Sequence, residues 1–164
     1  MNQGEAMKTV FKQNTIPNKS TITNGFDKID YFDTYRITQY TDASVEEIAT
    51  EIFKLPKWAS CLMTIRNFIV KIFGLKTGKE ETESGKIAYF TVIYKDENEI
   101  VMGDNDKHLN FRVSILVDRR KSLLYLTTIV HFNNILGQLY FMPVKPFHKV
   151  IIKSTLKKYL QTRT

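Results

Sequence analysis

The chain has one cysteine, four prolines, seven glycines and no long hydrophobic run. A single thiol, Cys61, cannot close an internal disulfide, so the fold must rest on its core, and such a chain is at home in a reducing compartment. The most apolar stretch, Leu62 to Leu75, is broken by Arg66, Asn67 and Lys71 and is shorter than the roughly 20 residues that a membrane span requires. A transmembrane helix is therefore not expected. Met1 to Ser20 carries lysines but neither a continuous apolar run nor a small-residue cleavage site, which argues against a secretory signal and for a cytoplasmic location. The acceptor pattern Asn18-Lys19-Ser20 has no meaning without secretion.

The usual chemical signatures are missing as well. His108, His131 and His148 include no pair four residues apart, the spacing that sets two imidazoles on one helix face for zinc, so neither a metal site nor a cofactor is expected. Gly103-Asp104-Asn105-Asp106 clusters oxygens but lacks the glycine and terminal glutamate of a calcium loop, and reads as a tight turn. Gly74 to Lys79 falls short of a phosphate-binding loop: three residues separate its glycines, and Glu80 stands where a hydroxyl should meet magnesium. There is no Gly-x-Ser-x-Gly elbow and no dinucleotide fingerprint. Cys61, near a helix start, reads as a buried, inert thiol rather than a reactive one.

What is present is an ordinary globular composition, 43% hydrophobic and 25% charged over 164 residues, enough for one domain with its own core. The net charge of +7 raises the question of an anionic partner. Lys149, Lys153 and Lys157 recur every fourth residue and form one stripe on a helix. Without interleaved aromatics this is a solvated face rather than a nucleic-acid platform.

Residues 1–25 are polar, contain Pro17 and show no sustained period, so they read as an irregular lead-in to a single domain over 26–164. Tyr31 to Ile37 predicts a first strand. Ser44 and Glu47 form a capping box, after which Val45, Ile48, Ala49, Ile52 and Phe53 mark one helix face that Pro56 ends. Leu62, Ile65, Phe68, Ile69, Ile72 and Phe73 predict a second helix, closed by Gly74, so that a two-helix hairpin is expected. Four alternating runs follow: Lys86 to Lys95, Glu99 to Gly103, Lys107 to Asp118 and Ser122 to Asn133. In the third, Leu109, Phe111, Val113, Ile115 and Val117 share a face opposite Asn110, Arg112 and Ser114, the mark of a half-buried antiparallel strand. Short polar connections at Asp96-Glu97-Asn98, Asp104-Asn105-Asp106 and Arg119-Arg120-Lys121 predict a meander. After Pro143 and Pro146, residues Phe147, Val150, Ile151, Leu156, Tyr159 and Leu160 predict a C-terminal helix with Pro146 in its first turn; Gly137 to Met142 fits either a helical turn or a strand extension.

Strand, two helices, antiparallel strands and a long final helix is the element order of helix-grip proteins, an α+β class in which a curved antiparallel sheet wraps a C-terminal helix. Asp30-Tyr31-Phe32-Asp33, Arg66-Asn67-Phe68-Ile69-Val70, Phe73-Gly74-Leu75-Lys76, Asp106 through Arg112 and Pro146-Phe147-His148 together resemble an uncharacterised bacterial family of unknown function in the START-like (SRPBCC, polyketide cyclase-like) superfamily. The resemblance implies a cavity between sheet and final helix, which relatives use for lipids, sterols, polyketides or hormones and some for catalysis. Aromatic residues such as Tyr89, Phe90, Phe111, Tyr125, Phe132, Tyr140, Phe141 and Phe147 serve equally as pocket lining or as core.

Three functions are compatible with these residues. The first is a binding module for a small, largely apolar molecule, with Tyr89, Phe111 and Tyr140 against the ligand body and Arg112 or His131 as polar fixing points. The second is a cyclase- or aromatase-type enzyme in which His131, His148 and Tyr140 move protons on a carbonyl compound. The third is an interaction protein using the lysine stripe. Arg112 is either solvated or an anchor for an anionic group. The sequence leaves the oligomeric state open.

Overall fold

In a sheet that is buried on one face, alternating side chains decide which residues look at the core. The computed structural model describes residues 9–38, 41–54, 86–87 and 90–162 and assembles their strands into one antiparallel sheet. Strands β1 (Phe11–Gln13), β2 (Tyr31–Thr38), β3 (Lys86–Ile87), β4 (Phe90–Lys95), β5 (Glu99–Asn105), β6 (Leu109–Asp118) and β7 (Leu123–Phe132) lie in the order β1-β2-β7-β6-β5-β4-β3. The last five form the expected meander. The first long strand, β2, closes onto the last, β7, from Tyr31 opposite Val130 to Thr38 opposite Leu123. The short β1 reaches only Thr34 to Arg36, so Tyr31 to Asp33 have no partner strand on that edge among the described residues.

The turns follow from their own side chains. Asp96 Oδ1 accepts the backbone amides of Asn98 and Glu99, each at 2.7 Å, and fixes the β4–β5 reversal. The β5–β6 reversal falls later than expected: β5 continues through Asp104 and Asn105, and the chain turns at Asp106, whose amide meets the Leu109 carbonyl at 3.0 Å. Gly103 lies within the strand because a Cβ there would collide with the Phe111 carbonyl. Between β6 and β7 a 3-10 turn, Arg119–Lys121, ends at Ser122 with a left-handed φ of 52°.

Helix α1 (Val45–Ile52) starts at the predicted capping box: the Glu47 amide donates to Ser44 Oγ at 3.2 Å, and the Ser44 amide donates to Glu47 Oε2 at 2.8 Å. Among the described residues it is the single helix between β2 and β3. The second helix expected over Leu62 to Phe73, and with it the hairpin, lies outside the described residues, as do Cys61 and Tyr89.

Helix α2 (Ile135–Thr162) is longer than the sequence implies. It begins before both prolines, with Asn134 Oδ1 accepting the Gly137 amide at 3.1 Å, which resolves Gly137 to Met142 as helix. Pro143 and Pro146 are interior positions, and each removes a backbone donor. Both are exposed, and so are Leu139 and Met142, whose carbonyls lose their partners, so water can satisfy them.

Apolar residues cover both sheet faces. On one, Tyr35, Ile37, Ile100, Met102, Val113, Ile115, Leu124 and Leu126 pack with α1 and with Ile152, Leu156, Tyr159 and Leu160 of α2. On the other, Val101 and Ile129 are covered by Ile22, with Ile16 and Phe26 beside it, so that the lead-in runs as a strap across the sheet.

Candidate functional site

On β2, the alternation Tyr31, Asp33, Tyr35, Ile37 turns these four residues toward α2. Asp33 lies directly across from Thr128 of β7 and is 1% exposed. It accepts a hydrogen bond from the Tyr31 hydroxyl at 2.8 Å. Above it, α2 brings His148 down: Nδ1 stands 3.2 Å from Asp33 Oδ2, within ion-pair distance though not aligned as a hydrogen bond, and Nε2 stands 3.4 Å from Thr128 Oγ1. The helical spacing of His148, Ile152, Thr155 and Tyr159 keeps all four on the face of α2 toward the sheet.

Among the described residues several polar atoms in this layer lack partners: Asp33 Oδ1, the Tyr35 hydroxyl and Thr155 Oγ1 are buried with no hydrogen-bond partner. Burial, followed by the Asp33 charge, pushes the Tyr35 phenol up to about 12. Burial likewise raises Tyr31, helped by its bond to Asp33 and that residue's charge, so both phenols stay protonated as donors at neutral pH. The layer therefore pairs a buried carboxylate and an imidazole with hydroxyl donors inside apolar walls, an arrangement able to fix a polar group or to move a proton.

Beside Tyr31, where β1 stops, an open cleft of about 430 Å³ is lined by Ile29, Phe32 and Asp30 and by the lysines Lys12, Lys145 and Lys149. Lys145 Nζ sits 5.0 Å from the centre of the Tyr31 ring. Tyr31 is thus common to the cleft and to the buried layer.

The sheet divides the residues singled out from sequence. Arg112 and His131 are on the strap side. Arg112 donates to the carbonyls of Ile22 (3.2 Å), Asn24 (2.5 Å) and Gly25 (3.3 Å) and lies 5.0 Å from the Phe26 ring centre. His131 Nδ1 pairs with Asp30 at 2.7 Å, and its ring meets the edge of Phe26. Phe111 is on the helix side, edge-on to Phe90, which in turn meets Phe53. Tyr140 is half-buried in the first half of α2, and Tyr89 lies outside the described residues. His131 and His148 stand on opposite faces of the sheet and do not meet. Lys153 and Lys157 are exposed, as expected of a solvated stripe.

Sequence reasoning missed Asp33, Tyr31, Tyr35, Thr128 and Thr155. Asp33 alone had a readable signal: an ionisable residue in phase with Tyr31, Tyr35 and Ile37 is an inward carboxylate if the strand is core-facing. Among the described residues no cluster of metal-ligating side chains occurs, and no helix is long and apolar enough to cross a membrane.

The family described as "Protein of unknown function (DUF2867)" matches residues 26–155. No curated protein and no solved structure matches the chain.

Proposed function

The chain belongs to the DUF2867 family of proteins of unknown function, and for it we propose a START-like helix-grip binding role: it holds a small, largely apolar molecule between the helix side of the sheet and α2. The observation that carries this reading is the hydrogen-bonding capacity of Asp33 Oδ1, the Tyr35 hydroxyl and Thr155 Oγ1, unfilled among the described residues and set within an apolar layer. A buried polar atom without a partner costs about 1–3 kcal/mol, and a ligand bearing a hydroxyl or carbonyl would recover that cost. The order of strand, helix, meander and long final helix supports the helix-grip assignment. Tyr89, Phe111 and Tyr140 are body contacts in this reading, whereas the polar fixing role passes from Arg112 and His131, which hold the strap, to Asp33, His148 and Tyr35.

Native mass spectrometry of freshly purified protein tests it. The expected result is a defined adduct, lost on denaturation and depleted in Tyr35→Phe and Thr155→Val, while both variants keep or gain up to about 1 kcal/mol of stability. An adduct-free mass, with both variants simply more stable, would show instead that these hydroxyls are ordinary core defects and would end the reading.

A second reading, proton transfer on a carbonyl compound in the manner of cyclases, draws on His148 lying between Asp33 and Thr128. Should the adduct be identified as a carbonyl compound, its conversion by the parent protein but not by His148→Gln, with binding retained, separates catalysis from storage.

A further inference from the structure

We infer that the cleft beside Tyr31 is the head-group end of that ligand site and selects an anionic amphiphile, a single carboxylate or phosphate on an apolar body. This rests on the binding role proposed above. The charge balance of the cleft comes first. Lys12 on β1 and Lys145 and Lys149 on α2 converge there with one carboxylate, Asp30. That carboxylate is committed elsewhere: Oδ1 pairs with Lys28 at 2.8 Å, and Oδ2 takes His131 at 2.7 Å and the Phe132 amide at 2.9 Å. Among the described residues neither Lys12 nor Lys149 has a carboxylate within ion-pair distance, so an entering anion would meet ammonium groups that lack counter-charges. Lysine is a compact point charge on a flexible stem, suited to carboxylate and phosphate alike.

The apolar part of the ligand class follows from the same walls. Ile29 and Phe32 are 36% and 38% exposed at the cleft, large side chains in water beside charged ones. They offer a surface for methylenes next to the ammonium groups. The Tyr31 ring then connects this surface to the interior, because its hydroxyl ends on buried Asp33. An anionic head at the lysines, on a chain that passes Tyr31 and carries a hydroxyl or carbonyl toward Asp33 and Tyr35, satisfies both halves of the site.

Titration calorimetry with octanoate, octyl phosphate, octanol and inorganic phosphate distinguishes the alternatives. Octanoate and octyl phosphate should bind at least about tenfold more tightly than octanol or inorganic phosphate, and should weaken several-fold as salt rises from about 0.05 to about 0.3 M. Lys145→Gln combined with Lys149→Gln should remove most of that preference, weakening octanoate and octyl phosphate far more than octanol. These are surface side chains, and an unaltered melting temperature controls for folding. Octanol binding as tightly as octanoate, indifferent to the lysines, overturns the anionic head while leaving the binding role intact. Inorganic phosphate matching octyl phosphate overturns the amphiphile, because the cleft would then be a free-anion site. If no probe binds and the purified protein carries no adduct, the inference and the binding role fall together.

Discussion

Asp30 has both carboxylate oxygens engaged at the point where the chain enters β2. The Lys28 ammonium first and then the Phe132 amide, with a lesser part from His131, hold its carboxyl at about 2 against the opposing effect of burial. The folded value lies below the ordinary 3.8, so folding favours the charged form. The resulting stabilisation is complete above about pH 4 and fades as pH falls toward 2. Asp30→Asn should therefore lower the denaturant midpoint at pH 6, and the gap between parent and variant should close as pH drops from 4 to 2. A pH-independent gap would mean that Asn loses packing rather than charge. The Lys28 pair is exposed on its lysine side and belongs to the class contributing under about 1 kcal/mol, so the effect is modest. None of this was legible beforehand. The motif Asp30-Tyr31-Phe32-Asp33 was visible, but the different fates of its two carboxylates depend on which partners β7 and α2 supply, and strand alternation does not encode those partners.

At the scale of single elements, the antiparallel strands were the most legible part of the fold. The alternation from Leu109 to Val117 and the Asp96-Glu97-Asn98 turn depend on local residues, and local residues are what a sequence displays. Helix α2 was less so, because Pro143 and Pro146 resemble a boundary when neighbours are ignored. The start of the helix is set from a distance: Gly137 packs on the carbonyl of His108 so closely that a Cβ would overlap it. The stretches of α2 up to Val150 and from Ile152 onward also differ in burial. Ile152, Leu156, Tyr159 and Leu160 are core, whereas Ile135, Leu139, Met142, Phe147 and Val150 are each more than half exposed, Val150 at 59%. Leu156→Ala should therefore cost about 2–5 kcal/mol by cavity formation. Val150→Glu, a larger chemical change, should stay within about 0.5 kcal/mol. Urea unfolding of both variants checks this, and comparable losses would mean that the Val150 side of the helix is packed in solution.

For the molecule as a whole, the described residues give the sheet two covers of different kinds. α1 and α2 cover one face with periodic apolar residues, and this amphipathic cover was readable. The strap over residues 16–26 covers the other with scattered ones, Ile16, Ile22 and Phe26, and no period reveals it; the sequence therefore left Arg112 open between a solvated residue and an anchor for an anionic group, with no sign of the strap it holds. The strap is fastened by polar contacts. Buried Glu99 accepts from Ser20, from the Thr21 amide at 2.7 Å and from the Thr21 hydroxyl at 2.8 Å, and Arg112 holds three carbonyls further along. A cover with so small an apolar contribution should open as a unit below the stability of the sheet. Arg112→Ala removes three charge-assisted bonds, and the amides of Thr21, Asn24 and Phe26 should then exchange about tenfold to a hundredfold faster, with β6 and β7 amides unchanged. If strap and sheet amides accelerate together, the two covers are one cooperative unit and the strap is part of the core. If only the strap responds, ligand binding on the helix side and strap opening on the other become separable, and a probe such as octanoate should leave strap exchange untouched.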